Sequence, residues 1–359
     1  MTAIPFLPWL LLVLFAVAIS TLVTRASIGY AKRRQMLDLP GQRRSHRMPT
    51  PRGGGIGIVL AVLACLAILL ACTGSAPGSM ASIPLIASVT LVALVGWIDD
   101  HRSLAPGIRL LAHALAVALL AWPVAGELLE LATNPAWPWL VAALLVGGAA
   151  AIWSINLHNF MDGIDGLLAS QALFVFVALA LLCFHAGRNV EAQAIGILAA
   201  ATLGFLPFNF PRARVFMGDV GSGVLGLLVA VATGWVIAAL PSGLEYALIA
   251  SSAFVVDSTA TLLSRMFSGR RWYSAHREHL YQWLVRSGFS HVRVTSLYMG
   301  WNLLLVVPAL MWVNASADKR TFVARLALAV VYALAVALWV IGKRYCLDMN
   351  RRVVRPESP

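Results

Sequence analysis

Apolar residues in this 359-residue chain come in runs long enough to cross a lipid bilayer. A membrane-spanning helix needs roughly 20 such residues. The first run is followed by a strongly basic stretch and has no Lys or Arg before it, so we expect a span and not a cleaved signal peptide. The pattern predicts an all-α, polytopic integral membrane protein with a single transmembrane domain over residues 1–359. Its eleven predicted spans cover residues 4–24, 53–73, 81–98, 107–125, 138–156, 166–185, 192–210, 220–240, 245–265, 295–314 and 322–342.

Composition agrees with a membrane protein and excludes other classes. The chain is 60% hydrophobic and 12% charged, with a mean hydropathy of +0.81. Soluble domains carry about 25% charged residues. A disordered chain, a nucleic-acid-binding module and a disulfide scaffold are therefore excluded. The four cysteines lack metal-ligand spacing, and we interpret them as small buried hydrophobic residues.

The net charge of +12 is distributed unevenly between alternate loops. With the N-terminus outside, 23 of the 27 Lys and Arg residues lie in cytoplasmic segments. Membrane proteins concentrate Lys and Arg in their cytoplasmic loops. We therefore predict that the N-terminus is outside and the C-terminus is cytoplasmic. Any chemistry must then come from short cytoplasmic loops, of which the largest cover residues 25–52 and 266–294.

Adjacent carboxylates, Asp99 and Asp100, follow the third predicted span directly. Two like charges side by side cost energy unless a cation offsets them. The pair fits a metal site or a base, and the alternative is a plain polar end to the helix. Arg102 and Arg109, a few residues downstream, supply the cations that a phosphate site needs.

Polar residues recur every three positions at the inner end of the fifth predicted span, at Asn156, Asn159, Asp162 and Asp165. On a helix this spacing forms one slowly drifting stripe. Polar groups at membrane depth are costly and usually functional. Hydrogen bonding between helices by the two Asn residues is the structural alternative.

A third acidic motif begins the eighth predicted span, where Asp219 lies between glycines and Asn209 precedes it. Backbone N–H groups at a helix N-terminus suit anions, and Asp219 could hold an accompanying Mg²⁺. A further carboxylate, Asp257, lies inside the ninth span. We leave two roles open for it, a functional one and pairing between helices.

Two basic loops complete the candidate chemistry. The first carries Arg47 and Arg52 before three glycines, and the last carries His276, Arg277 and His279. The His pair could bind Zn²⁺, but no third soft ligand is near. Two His and several Arg fit a diphosphate clamp better, and attraction to anionic lipids is the alternative.

Carboxylates, carboxamides, glycine turns and cations on one membrane face are typical of phosphoryl transfer, where catalysis is mostly positioning and charge neutralisation. The chain has no Walker A motif, which argues against ATP hydrolysis. We expect a lipid acceptor, because a soluble acceptor would not need eleven spans.

Four ordered motifs resemble the polyprenyl-phosphate N-acetylhexosamine-1-phosphate transferases, polytopic phosphoglycosyl transferases of glycosyltransferase family 4. The resemblance covers nearly the whole chain. The motifs are Asp99-Asp100, the stripe from Asn156 to Gly166, Phe216-Met-Gly-Asp219-Val-Gly-Ser, and the loop with His276 and His279.

The resemblance implies that undecaprenyl phosphate attacks the β-phosphorus of a UDP-sugar and releases UMP. It implies Mg²⁺ as cofactor, with Mn²⁺ as an alternative, and it leaves open whether the attack is direct or passes through a phospho-enzyme. The implied catalytic residues are Asp99, Asp100 and Asp219, and the implied metal ligands are Asn159 and Asp219. The implied substrate-binding residues are Asn156, Asp162, Asp165, Asn209, Arg109, His276, Arg277, His279, Arg47 and Arg52.

The last loop departs from the lipid I synthases of the family, which carry three consecutive His where this chain has His276-Arg277-Glu278-His279. The resemblance therefore favours the O-antigen-initiating branch and a UDP-N-acetylhexosamine donor, with a 6-deoxy sugar as one option. Phospho-N-acetylmuramoyl-pentapeptide transfer stays an alternative, followed by a transporter or flippase and a non-enzymatic scaffold.

We further expect a multi-pass protein of the bacterial inner membrane. Its expected partners are membrane lipids and its two substrates, with no nucleic acid and with a homodimer left open.

Overall fold

The computed structural model describes residues 3–38, 49–73, 82–130, 134–270, 276–316 and 319–354. Within these ranges the chain forms twelve helices and one short antiparallel ribbon, in which β1 (Leu37–Asp38) pairs with β2 (Thr50–Pro51). Helix α11 contains one π-helical turn, Asn302–Val306. The helices are α1 (Phe6–Arg33), α2 (Ile56–Thr73), α3 (Ser82–His101), α4 (Pro106–Glu130), α5 (Trp137–Phe160), α6 (Leu167–His185), α7 (Asn189–Asn209), α8 (Asp219–Ala239), α9 (Gly243–Phe267), α10 (Leu280–Arg286), α11 (His291–Ala315) and α12 (Arg320–Val354).

Hydropathy predicted the helices well, and the all-α membrane fold is confirmed. In the described part of the chain, ten helices are long and apolar enough to cross a membrane. The one remaining predicted run, residues 53–73, forms the shorter apolar helix α2. The hydropathy pattern did not predict α10, a seven-residue helix inside the last polar loop. It also did not predict that α1 and α12 continue past their apolar runs.

Helix α8 lies at the centre of the bundle and packs against α2, α3 and α5. Small residues allow these close approaches, as is common between membrane helices. A Cβ at Gly96 of α3 would collide with the backbone carbonyl of Asp219, and a Cβ at Gly226 of α8 would lie 2.6 Å from the Ser154 carbonyl oxygen of α5. These contacts fix the N-terminus of α8 beside the C-termini of α3 and α5, where the sequence carries its acidic motifs.

Candidate active site

The acidic motifs meet at one end of the helix bundle. Asp99 and Asp100 lie at the C-terminal end of α3, Asn159 lies at the C-terminal end of α5, and Asp219 is the first residue of α8. Arg109 comes from the first turn of α4. In helices that alternate in direction, the C-termini of α3 and α5 and the N-termini of α4 and α8 lie on the same side of the bundle. The loop charges predict that this side is cytoplasmic.

Asp219 receives contacts from three neighbouring segments. Its Oδ1 accepts a hydrogen bond of 2.9 Å from Asn159 Nδ2, which also donates to Ser222 Oγ at 3.0 Å. Arg52 Nη2 lies 3.4 Å from the same oxygen, and Arg109 Nη1 lies 3.6 Å from Oδ2. Asn159 and Asp219, the two predicted metal ligands, are thus in direct contact, and their binding of a metal ion stays a prediction.

Asp100 holds the N-terminus of α8. Its two carboxylate oxygens accept hydrogen bonds from the backbone N–H of Asp219, at 3.0 Å, and of Val220, at 3.1 Å. Arg52 Nε lies 3.1 Å from Oδ1, and the Asp100 side chain is only 1% exposed. A carboxylate at a helix N-terminus satisfies orphan N–H groups and is stabilised by the helix dipole. Asp100 thus positions Asp219, and a direct catalytic role for it stays a prediction.

Asp99 faces the cluster from the same helix. It accepts hydrogen bonds from Leu104 N and, at 2.9 Å, from Arg109 Nη1. The same Arg109 Nη1 lies 3.6 Å from Asp219 Oδ2. Arg109 therefore bridges two carboxylates that would otherwise repel each other.

Asp162 adds another carboxyl group from the loop between α5 and α6. Burial first, and then the negative charges of Asp219 and Asp100, raise the pKa of Asp162 to about 7, although Arg52 and the Gly218 N–H oppose the shift. Burial would lower the pKa of Arg52, but the neighbouring carboxylates, Asp100 foremost, outweigh it and raise that pKa.

The cluster is short of positive charge. Four carboxyl groups (Asp99, Asp100, Asp162 and Asp219) interact with the two guanidinium groups of Arg52 and Arg109. With every carboxyl group ionised, two negative charges remain uncompensated, and the raised pKa of Asp162 is one response to that excess. A cation entering here would relieve the repulsion.

The donor set fits Mg²⁺ and does not form a closed metal cage. Among the described residues, no group of three or more His, Cys, Asp or Glu side chains is placed to enclose a metal ion. Mg²⁺ is usually held by one or two carboxylates together with water and substrate phosphates. The Asp219 carboxylate and the Asn159 amide, in contact with each other, supply the oxygens for such an open site.

Asp165 and Asn209 fasten the loop that carries Asp162. Asp165 Oδ2 accepts from Ala213 N at 3.2 Å, and its Oδ1 lies 3.1 Å from His291 Nδ1. Asn209 Oδ1 accepts from Gly166 N at 2.9 Å, and its Nδ2 donates to the Val215 carbonyl at 3.0 Å. Both side chains are engaged in holding backbone, and their contact with substrate stays a prediction. His291 is not among the predicted site residues, because nothing in the local sequence pattern links it to Asp165.

The loop with the two histidines packs against the end of α5. Tyr281 Oη donates to the Phe160 carbonyl at 2.9 Å, and the ring of His279 stacks on Phe160 at 6.0 Å between centroids. The His276 and His279 rings lie 5.1 Å apart. His279 is 3% exposed, whereas Arg277 is exposed on the surface. These residues lie beside the Asp162 loop, and their binding to a diphosphate stays a prediction.

The histidines are neutral in this environment. Burial first, and then the charges of His279 and Arg265, lower the pKa of His276 to about 4. Burial also lowers the pKa of His279, although Asp257 opposes that shift. Both shifts favour the neutral imidazole at neutral pH.

Asn156 is a predicted site residue whose hydrogen bond lies outside the cluster. Asn156 Nδ2 donates at 2.8 Å to the Ile152 carbonyl of its own helix, one turn away from Asn159. Arg47 lies outside the described residues. Arg52, predicted in the same loop, contacts the carboxylates of Asp100 and Asp219.

A family profile and several known enzymes match this chain. Residues 82–237, which include all four carboxyl groups, match the profile of glycosyl transferase family 4. The chain is 28% identical over 321 residues to a decaprenyl-phosphate N-acetylglucosaminephosphotransferase from Mycobacterium leprae, covering 81% of each chain. It is 26% identical over 339 residues to an undecaprenyl-phosphate alpha-N-acetylglucosaminyl 1-phosphate transferase from Yersinia pestis, covering 89% of this chain and 86% of the relative.

A third relative is a phospho-N-acetylmuramoyl-pentapeptide-transferase from Bacillus licheniformis. It is 30% identical over 281 residues, covering 72% of this chain and 82% of the relative. All three relatives bear the names of enzymes that transfer a phosphate-linked sugar. On this identity and coverage, and on the profile match, the chain belongs to glycosyl transferase family 4.

Proposed function

We propose that this protein transfers N-acetylhexosamine 1-phosphate from a UDP-sugar to undecaprenyl phosphate in the bacterial inner membrane. The observation that carries the proposal is the group of four carboxyl groups and two arginines at one end of a membrane-spanning bundle. A site at the end of apolar helices can reach a lipid phosphate and a soluble nucleotide at once. The names of the relatives support the same reaction class.

The proposed reaction joins two phosphates and releases one. An oxygen of the lipid phosphate forms a bond to the phosphorus that carries the sugar. The bond from that phosphorus to the oxygen bridging it to the uridine phosphate breaks, and UMP leaves with that oxygen. The products are undecaprenyl-diphosphate-sugar and UMP. Phosphoryl transfer of this kind depends mainly on positioning and on neutralising charge.

In this scheme each residue of the cluster has a separate task. Arg109 and Arg52 have guanidinium groups that can pair with phosphate oxygens in a bidentate way. Asp99, paired with Arg109, would orient or deprotonate the lipid phosphate. Asp219 and Asn159 would hold Mg²⁺, or Mn²⁺ as an alternative, and the ion would neutralise phosphate charge when bound. Asp100 keeps Asp219 in place.

We propose an N-acetylhexosamine donor and test UDP-N-acetylglucosamine first, because N-acetylglucosamine appears in the names of several relatives. UDP-linked 6-deoxy N-acetylhexosamines come next. The corresponding role in the cell is the first step of O-antigen or a related envelope glycan. Transfer of phospho-N-acetylmuramoyl-pentapeptide is the second candidate, favoured by the 30% identity to the Bacillus licheniformis relative. The last loop, with His276-Arg277-Glu278-His279, argues against it.

The proposal is tested by measuring UMP release. Purified protein is incubated with undecaprenyl phosphate, Mg²⁺ and each of the UDP-N-acetylhexosamines or UDP-N-acetylmuramyl-pentapeptide. We expect release with an N-acetylhexosamine donor that depends on both the lipid and the cation. Release with the pentapeptide donor alone would establish the second candidate, and no release with any donor would refute the proposed reaction class. Omitting the lipid controls for simple hydrolysis of the donor.

A further inference from the structure

Asp257 is a buried carboxylate of α9, 3% exposed, and it joins four helices. Its Oδ1 accepts from Leu280 N at 2.7 Å and from Trp339 Nε1 at 3.2 Å. Its Oδ2 accepts from Tyr298 Oη at 2.6 Å and from Tyr281 N at 3.4 Å. Leu280 and Tyr281 are the first two residues of α10, while Tyr298 and Trp339 belong to α11 and α12.

The environment of Asp257 contains neutral donors where a buried carboxylate would be expected to face a cation. His279 Nδ1 lies 3.9 Å from Oδ1, and burial lowers the pKa of His279. Thr261 Oγ1 donates to Oδ1 at 3.3 Å. Beside these donors, Asp257 borders a cavity of about 240 Å³ that is lined almost entirely by apolar side chains. The carboxylate is therefore held by hydrogen bonds, two of which come from the backbone of α10.

Helix α10 leads directly from Asp257 to the candidate active site. It begins right after His279, and Tyr281 in its first turn donates to the carbonyl of Phe160. The Tyr281 ring also lies so close to Gly163 that a Cβ there would collide with it. Phe160 and Gly163 flank Asp162 along the chain. A shift of the α10 N-terminus would thus move the His276–His279 loop relative to the carboxylates.

We propose that Asp257 is a positioning residue for the reaction. It fixes the N-terminus of α10 and thereby the position of the His276–His279 loop relative to the proposed sugar-nucleotide site. This inference rests on the proposed function. In this inference Asp257 affects the binding of the UDP-sugar and not of the lipid, and it acts through α10 without touching either substrate. The alternative is a role in stability alone, in which Asp257 simply joins α9, α11 and α12.

The chain offers a substitution that removes one of these hydrogen bonds with little other change. Leu280 is the first residue of α10, where proline is well tolerated because the N–H has no partner within the helix. The preceding residue, His279, has φ −63° and ψ 148°, a conformation compatible with a following proline. Leu280→Pro therefore deletes the N–H that donates to Asp257. Leu280→Ala is the matched control, because it shortens the side chain and keeps that N–H.

The test compares five variants in the purified full chain. Leu280→Pro removes the backbone N–H of α10 that donates to Asp257. Asp257→Asn disturbs the same contact, because either orientation of the Asn amide turns its NH₂ group towards a hydrogen-bond donor. Tyr298→Phe and Trp339→Phe remove the donors from α11 and α12, and Leu280→Ala completes the set. Initial rates of UMP release give KM for the UDP-sugar and for undecaprenyl phosphate separately. Thermal midpoints and amide exchange of residues 276–286 are measured on the same samples.

We expect Leu280→Pro and Asp257→Asn to lower kcat/KM for the UDP-sugar about 10- to 100-fold, because misplacement by about 1 Å can have that effect. The KM for undecaprenyl phosphate should not change. Amide exchange over residues 276–286 should accelerate. For Leu280→Ala, Tyr298→Phe and Trp339→Phe, kcat/KM for the UDP-sugar should stay within about threefold of the wild-type value.

The inference is overturned if Leu280→Pro retains the kcat/KM of Leu280→Ala. It is also overturned if all five variants lose activity in proportion to their thermal midpoints, or if both KM values rise together. Should Asp257→Asn fail to fold, the two Leu280 variants decide the question. A wild-type protein without UMP release would refute the proposed function, whereas the exchange measurement still reports whether Asp257 holds α10.

Discussion

Two of the helices that begin at the cytoplasmic face of the proposed topology, α8 and α10, are capped in the same way but in different surroundings. Asp100 of α3 accepts from the first two N–H groups of α8, and Asp257 of α9 accepts from the first two N–H groups of α10. In each case a carboxylate from one helix caps another, which satisfies backbone donors that no helix can satisfy itself.

The difference lies in the charges around the two caps. Asp100 lies among three further carboxyl groups and two guanidinium groups, whereas Asp257 lies among hydroxyl, indole and backbone donors beside an apolar cavity. A carboxylate satisfied by neutral donors needs no further partner. An excess of carboxylates over cations is relieved by protonation, as at Asp162, or by a bound cation. The excess of negative charge, and not the burial of an acid, therefore distinguishes the region in which we propose the reaction.

The largest effect should come from the carboxylate with the most contacts in the charged region. Asp219→Asn removes the charge proposed to hold the cation and should lower UMP release by about 10³-fold, as expected for a central electrostatic group. The control is Asp348→Asn, at an exposed carboxylate of α12 far along the chain. Wild-type turnover by Asp219→Asn would remove this residue from the proposed metal site.

The two caps themselves give the next comparison. Asp100→Asn turns an NH₂ group towards the N–H of Asp219 or Val220 and weakens the pairing with Arg52. We expect a loss of about 10²-fold in kcat, because Asp219 shifts together with the start of α8. Asp257→Asn should act mainly on KM for the UDP-sugar. Identical kinetic profiles for the two variants would contradict the distinction between the regions.

Replacing the cations by lysine should have a smaller effect. Arg109 Nη1 lies 2.9 Å from Asp99 and 3.6 Å from Asp219, a bridge that a single ammonium group cannot form as well. Arg109→Lys should therefore lower kcat/KM about tenfold. Arg188→Lys is the control, since Arg188 pairs with Glu191 at the start of α7, away from the cluster. Equal rates for both lysine variants would show that Arg109 acts only through its charge.

The smallest expected effect is on the pH dependence of stability. The folded protein keeps His276 neutral down to about pH 4, whereas an unfolded chain binds the proton below about pH 6.5. At His276 the unfolded state therefore binds more protons in this window, and the contribution of this residue to stability falls as the pH drops from about 6.5 towards 4. Asp162, with its pKa raised to about 7, binds a proton in the fold over the same window and acts in the opposite direction. The contribution of His276 is isolated by substitution: the difference between the thermal midpoints at pH 5 and pH 7 should shift in His276→Gln, in favour of the midpoint at pH 5. An unchanged difference would show that His276 is protonated in the fold.

Hydropathy alone predicted the long helices, because roughly 20 apolar residues in a row have few other folded states in a membrane. The grouping of Asp99, Asn159 and Asp219 was also predictable, since their motifs lie at helix ends that face the same side. The partners of individual side chains were not. Asp257 pairs with Trp339, 82 positions away, and His291 pairs with Asp165 across 126 positions. Such contacts depend on how helices pack, which no local pattern encodes.

We propose that the charged region joins a lipid phosphate to a sugar phosphate. Mass spectrometry of the lipid fraction tests it most directly, after incubation of wild-type protein and Asp219→Asn with undecaprenyl phosphate, Mg²⁺ and UDP-N-acetylhexosamines. We predict undecaprenyl-diphosphate-N-acetylhexosamine with the wild type and none above background with Asp219→Asn. No lipid-linked sugar diphosphate from any donor, or equal amounts from both proteins, would contradict the account.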